Sequence, residues 1–149
     1  MTTPADPVRD VIRRTLANYD FIKDHASAEV FEVTQLVNSF LCAVIQPWSD
    51  LKKSTHPWNL SLAAAELDGW PDVACRTGTT PTLGHLIIEI RNALSHGNVE
   101  YLASNGTDIS GLRLTTKQPF DYTAIKWEAE FSIADLECFL AKFATIAIG

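Results

Sequence analysis

The chain has 149 residues, 46% of them hydrophobic and 20% charged, which is enough for one domain with a real core and too apolar for intrinsic disorder. Eighteen acidic residues against twelve basic ones leave a formal net charge of -6. That excludes a polycationic surface for nucleic acid, so any contact with RNA or DNA must come from a local basic site or a partner.

Asp6-Pro7 reads as an N-cap followed by the first helical residue. Val8, Val11, Ile12, Leu16, Tyr19 and Ile22 then recur at three- and four-residue steps and predict an amphipathic helix of about 18 residues. Its other side carries Arg9, Arg13 and Arg14; Arg13 and Arg14 are candidates for contact with RNA phosphate, weighed against an ordinary solvated face. A second helix is expected from Ala28 to Ile45, capped by Ser27 and stopped by Pro47. Val30, Val33, Leu36, Val37, Phe40, Leu41 and Val44 give it an apolar face wide enough for burial on more than one side. Thr34 with Asn38, and Gln35 with Ser39, would need partners if buried.

From Trp48 to Pro81 the periodicity weakens. A short helix from Asn59 to Leu67, capped by Asn59, is expected within an irregular insertion. Trp48, Trp58 and Trp70 read there as packing anchors rather than base-stacking platforms. Thr80-Pro81 signals the start of the next helix, from Pro81 to about Ser95, with Gly97 as a left-handed cap after His96.

Beyond Gly97 the period changes to two. Val99, Tyr101 and Ala103 make one candidate strand, Asn105-Gly106 a hairpin turn, and Ile109, Leu112 and Leu114 a second strand with a bulge at Gly111. Trp127, Ala129 and Phe131 alternate with charged neighbours in a third. The closing helix has a capping box of Ser132 and Asp135 and a core face of Ile133, Leu136, Phe139, Leu140, Phe143 and Ile146. The expected architecture is a single, mainly α domain over 1–149. It is a helical bundle of about four to five helices with a small antiparallel hairpin or three-stranded sheet before the C-terminal helix.

Cys42, Cys75 and Cys138 are odd in number and far apart. They read as small buried hydrophobes in a reducing compartment, not as a disulfide framework or zinc site. The longest apolar runs, such as Leu86-Ile87-Ile88, are too short to cross a bilayer. Met1 is followed by neither a basic nor an apolar leader segment, so a cytoplasmic protein without membrane contact is expected.

The helix from Pro81 to His96 carries the chemistry. On a helical wheel Leu83, Leu86, Ile87, Ile90, Ala93 and Leu94 form the core stripe. His85, Glu89, Asn92 and His96 gather opposite, flanked by Arg91 and Ser95. Three readings compete: a solvated face; a metal site on His85, Glu89 and His96, which lacks an H-E-x-x-H pattern and a clear third ligand; and a phosphoryl-transfer site on Arg91 and His96. Arginine supplies a permanent charge and a planar fork for phosphate oxygens. Histidine moves protons near neutral pH. Together they suit RNA cleavage by its own 2′-hydroxyl without a metal or other cofactor.

Arg91-Asn92-Ala93-Leu94-Ser95-His96 resembles the signature of the HEPN superfamily, an Arg, a polar residue after it, and a His after a short gap near the end of a long helix. The stretches Phe31 to Ser39 and Arg91 to Glu100 resemble a bacterial ribonuclease and toxin subgroup, and the likeness runs from the first helix to Ile148. The resemblance implies a homodimer that brings two motifs into one cleft and a metal-independent endoribonuclease acting in toxin–antitoxin or phage-defence systems. It assigns proton transfer to His96, phosphate neutralisation to Arg91, and orientation of substrate or imidazole to Asn92. His85, Glu89 and Ser95 would line the site. The resemblance also implies an antitoxin protein as a partner, although Asn98 stands where some of these toxins carry a Tyr that a nucleotidyltransferase antitoxin modifies, which argues against that one form of neutralisation. The alternatives are a non-catalytic dimerisation module and a nucleotide-sensing subunit of a larger system.

Overall fold

The computed structural model of the chain describes residues 6–25, 32–45, 48, 57–104 and 108–148. They divide into two compact units, Met1–Lys53 with Leu140–Gly149, and Ser54–Phe139.

In the first unit α1 spans Pro7–Asp24, and Asp6 caps it by accepting the Arg9 backbone N–H at 3.1 Å. It packs against α2 (Glu32–Phe40). Ile12 and Tyr19 of α1, and Leu36, Ser39 and Phe40 of α2, are buried. The sequence places a helix over 28–45; residues 28–31 and Pro47 lie outside the described ones, and Leu41–Ile45 winds as a π-helix. A 3.6-residue pattern does not foresee that wider turn. Gln35 donates to the buried Ser39 Oγ at 3.5 Å, while Thr34 and Asn38 are exposed and need no protein partner. Leu140, Phe143, Ala144 and Ala147 are also buried here.

The second unit corrects the expectation of a mainly helical bundle, because its frame is a four-stranded antiparallel sheet. The strands are β1 (Cys75–Thr77), β2 (Val99–Ser104), β3 (Asp108–Gln118) and β4 (Asp121–Ser132), in the order β1-β4-β3-β2. The chain is therefore mixed α and β. Apolar alternation marks only the inner ends of β3 and β4, through Leu112 and Leu114 and through Trp127, Ala129 and Phe131, all buried. Beyond Leu114 β3 continues in polar residues, before Trp127 β4 runs from Asp121 to Lys126 without regular apolar burial, and backbone pairing extends the hairpin to Gln118 and Asp121. A two-residue link, Pro119-Phe120, joins them. Proline fixes φ near −65°, so this is not one of the primed turns announced by Asn-Gly. Asn105-Gly106 lies outside the described residues.

Gly111 sits at an irregularity as expected: Leu102 pairs with Gly111 and Ala103 with Ile109, leaving Ser110 extra. A Cβ at Gly111 would meet the Phe131 carbonyl oxygen at 2.2 Å, so that close strand approach requires glycine.

The short helix α3 (Leu62–Leu67) is capped by Ser61, whose Oγ accepts the Ala64 N–H at 3.2 Å, and not by Asn59. Helix α4 (Leu83–Ser95) starts later than Thr80-Pro81 suggests, with Thr82 as its N-cap. The last helix, α5 (Ile133–Ile148), opens with the predicted reciprocal box: Ser132 N–H donates to Asp135 Oδ2 at 2.9 Å and Asp135 N–H to Ser132 Oγ at 3.0 Å. Its Phe139 meets the edge of buried Trp70 at 5.0 Å, and Trp70 meets Trp58 at 6.4 Å, so these tryptophans are packing anchors. The cysteines are free, but they are not a buried set: Cys42 and Cys75 are half-buried and Cys138 is exposed. Among the described residues no helix is long and apolar enough to cross a membrane.

Candidate functional site

The site is built on the C-terminal half of α4. Its predicted core stripe, Leu83, Leu86, Ile87, Ile90, Ala93 and Leu94, is buried throughout, and the helix packs on β3. His96 is the C-cap. Gly97 follows at φ 69°, where a side chain would be strained. The Gly97 N–H donates to Leu94 O at 3.1 Å and the Asn98 N–H to Ala93 O at 2.9 Å, the paired bonds of a Schellman cap. The Thr115 N–H then donates to Asn98 O at 3.1 Å and ties this corner to β3. His96 is thus fixed in place through its backbone while its side chain stays exposed.

An open cavity of about 540 Å³ adjoins this corner. Asn92 and His96, four residues apart on one helical face, line one side with Asn98. Thr116 and Lys117 of β3 and Pro119, Tyr122 and Lys126 of the hairpin line the other, with Glu89. The register explains how β4 presents these groups. Thr116 pairs with Trp127 and Lys117 with Ile125, so Lys126 is an extra residue; Gln118 pairs with Asp121, so Tyr122 to Ala124 are extra too. Such bulges bend a strand and re-aim its side chains.

Glu89 overturns its place on an open polar face. It is buried, with Oε2 accepting from Thr116 Oγ1 at 2.8 Å and Oε1 paired with Lys126 Nζ at 2.6 Å. The helical wheel could not show this, because the sheet extends far enough to cover that edge. His85 is exposed, outside the cavity lining, and its Nδ1 bonds Thr82 Oγ1 at 2.6 Å. Arg91 and Ser95 are exposed and also outside the lining. One copy of the motif therefore brings Asn92 and His96 together but not Arg91, in keeping with the five-residue offset that turns Arg91 to another side of the helix. Arg13 and Arg14 are exposed on α1 in the first unit; Arg14 Nε pairs with Asp10 Oδ2 at 2.7 Å.

Sequence reasoning missed Thr116, Lys117, Pro119, Tyr122 and Lys126 as lining residues. Their signal was faint: Thr116 continues the inward positions of Leu112 and Leu114, and the bulge that turns Lys126 inward leaves no mark in the sequence. Among the described residues no three His, Cys, Asp or Glu side chains come together as a metal site.

The outer face of the sheet carries a different cluster. Glu100, Arg113 and Glu130 stand directly opposite one another on β2, β3 and β4. Arg113 donates to Glu100 Oε2 at 2.7 Å and to Glu130 Oε1 at 2.8 Å, and Arg76 of β1 also pairs with Glu130. The hydrogen bonds from Arg113, then Arg76, hold the Glu130 carboxyl below the usual carboxylate range. The bond to Glu130 raises the Arg113 guanidinium in turn. At the hairpin end the Thr123 hydroxyl, then its backbone N–H, lowers the Asp121 carboxyl.

A helix closed by an Arg-to-His string beside a polar cavity has the features of a HEPN-type module. A family model described as HEPN pEK499 p136 matches residues 1–148, and the chain belongs to that HEPN family. No curated protein and no solved structure matches it.

Proposed function

We propose that this HEPN protein is a metal-independent endoribonuclease acting as a homodimer. The observation that carries the reading is the cavity at the motif. The side chains of Asn92, His96, Asn98 and Lys117 face it with no hydrogen bond or ion pair among the described residues. Polar side chains held beside a cavity and left without partners are ready to bind a polar substrate.

The reaction is attack of a ribose 2′-hydroxyl on the adjacent phosphorus. His96 takes the 2′ proton; the bond to the 5′-oxygen breaks, and that oxygen is reprotonated as it leaves. The products are a 2′,3′-cyclic phosphate and a 5′-hydroxyl. Arg91 neutralises the phosphate charge, and its place outside the lining of its own cavity fits a role completed by a second copy. Asn92 orients the imidazole or the substrate. Membership of a HEPN family supports placing this activity in a toxin–antitoxin or phage-defence system.

The test is RNA cleavage in EDTA by wild type, His96→Ala and Arg91→Ala. Loss of general acid–base help lowers the rate by roughly 10²–10⁴, and the wild type leaves cyclic-phosphate ends. Products with 3′-hydroxyl ends, or cleavage only with Mg²⁺, would sink the mechanism. The position of Arg91 also favours a second reading, a non-catalytic module in which Arg91 holds a dimer together. Loss of the dimer in Arg91→Ala, with no cleavage by the wild type, is its signature.

A further inference from the structure

We infer that the tip of the β3–β4 hairpin is a nucleobase platform, on which Tyr122 stacks a base of single-stranded RNA while Lys117 holds its phosphate. This rests on the ribonuclease reading of the same cavity and adds the subsite that seats the strand beside His96.

Tyr122 is 79% exposed and Phe120 fully exposed, two residues apart on one turn. Singly exposed apolar residues are ordinary, but neighbouring rings that form a contiguous apolar patch mark an interaction site. Trp48, Trp58, Trp70 and Trp127 are within the core; Phe21 and Tyr101 are exposed as well, but neither lines the cavity. Tyr122 lines the same cavity as Asn92 and His96, and β4 departs from regular pairing with β3 at Tyr122.

Charge selects the occupant. In a chain of net charge -6, Lys117 lines this cavity with no carboxylate partner among the described residues. Lys126, beside it, already holds Glu89. An unpaired ammonium beside a ring suits a base joined to a phosphate, since aromatic stacking accepts any base and the cation takes the backbone. The amides of Asn92 and Asn98 can donate to and accept from the edge of that base. In a duplex the bases are already stacked on their neighbours, so the ligand is single-stranded.

The test measures binding of a fluorescein-labelled single-stranded RNA 12-mer by anisotropy, in the His96→Ala background so that no strand is cut. Tyr122→Ala is expected to weaken binding roughly 5- to 100-fold, the range for loss of one stacked base. Tyr122→Phe keeps the ring and stays within about twofold of the parent. Lys117→Ala flattens the salt dependence by about one phosphate contact. Unlabelled single-stranded RNA competes and the same sequence as a duplex does not. Tyr122 is exposed, so folding is not at stake, and thermal melts of each variant check it.

Unchanged RNA affinity in Tyr122→Ala overturns the platform, and so does competition by a free mononucleotide as strong as by RNA. A dimer lost in Tyr122→Ala with RNA affinity intact makes the tip a protein interface instead. In a wild-type background, a raised KM with unchanged kcat in Tyr122→Ala supports the platform. RNA binding that depends on Tyr122, with no cleavage by wild type, leaves the platform standing and removes the nuclease. Cleavage with an unchanged KM does the reverse.

Discussion

The two faces of one sheet carry polar clusters in opposite states. On the outer face Glu100, Arg113 and Glu130 pair in register, and Arg76, at the irregularity of β1, joins Glu130, so every charge of this ladder meets an opposite one. At the cavity beside α4 one pair is closed, Glu89 with Lys126, and around it Asn92, His96, Asn98 and Lys117 have side chains without partners among the described residues. Cross-strand charge pairs help hold strand register. Unpartnered polar groups around an open cavity do nothing for the fold that water would not do as well. On the proposed reading the ladder belongs to stability and the cavity to binding, with the Glu89–Lys126 pair joining β4 to α4.

The largest effect expected from this division is on activity alone. His96→Ala should lower RNA cleavage by roughly 10²–10⁴ while shifting unfolding free energy by less than about 0.5 kcal/mol, as for an exposed residue outside any network. Parallel kinetics and urea melts decide it. A large stability loss in His96→Ala would break the comparison, because the cavity would then be part of the frame.

Next comes the Glu89–Lys126 pair. Lys126→Ala leaves the Glu89 carboxylate buried with only the Thr116 hydroxyl. Removing one partner of a fully buried pair costs about 3–5 kcal/mol. Lys126 is 46% exposed, so water replaces part of its effect and about 2 kcal/mol is the expected loss. Lys117→Ala, one residue before the end of β3 and with no side-chain partner among the described residues, should cost less than about 0.5 kcal/mol. Urea midpoints of the two variants, measured side by side, separate a structural lysine from a ligand-binding one. Equal midpoints would remove the distinction.

This same division explains what could be read from the sequence. Elements that bury a regular apolar pattern were legible: the 18-residue α1 with Asp6 as cap, the core stripe of α4, the Ser132–Asp135 box, and the inner ends of β3 and β4. The Arg91-to-His96 string and its Gly97 cap were legible because each residue type has a local reason to be there. What failed depends on backbone pairing, which leaves little trace in side-chain pattern. The hairpin ends of β3 and β4 and the three-residue β1 bury no regular apolar pattern, so side-chain periodicity predicts a smaller sheet and a more helical fold than backbone pairing builds. That error hid the site's second wall. Once β3 reaches Gln118, Thr116 covers Glu89, and the hairpin brings Lys117 and Tyr122 to the cavity. The wheel that put Glu89 beside Asn92 was geometrically sound; what it lacked was the neighbour.

The smallest effect belongs to the ladder, and pH reveals it. Arg113 and Arg76 hold the Glu130 carboxyl below its usual range. A carboxylate whose pKa is lower in the folded than in the unfolded chain binds fewer protons when folded, so folding gains from it at neutral pH. That gain is complete above the unfolded carboxylate value and fades as pH falls through the folded one. Arg113 has the opposite sign: its raised value stabilises the fold below the unfolded arginine range and is lost only in strong alkali. Between neutral pH and acid, then, it is Glu130 whose shift changes stability. Glu130→Gln should melt slightly below wild type at pH 7, and the gap should close as the buffer is taken below the ordinary carboxylate range. High salt should shrink the gap at pH 7 as well, because these groups are near water and screened. The Glu130→Gln difference isolates this carboxyl from the other acids, since every other acidic group is common to both proteins. A gap that persists unchanged in acid would mean that Glu130 contributes by shape and packing rather than charge. The outer face would then be no more of an electrostatic frame than the cavity is.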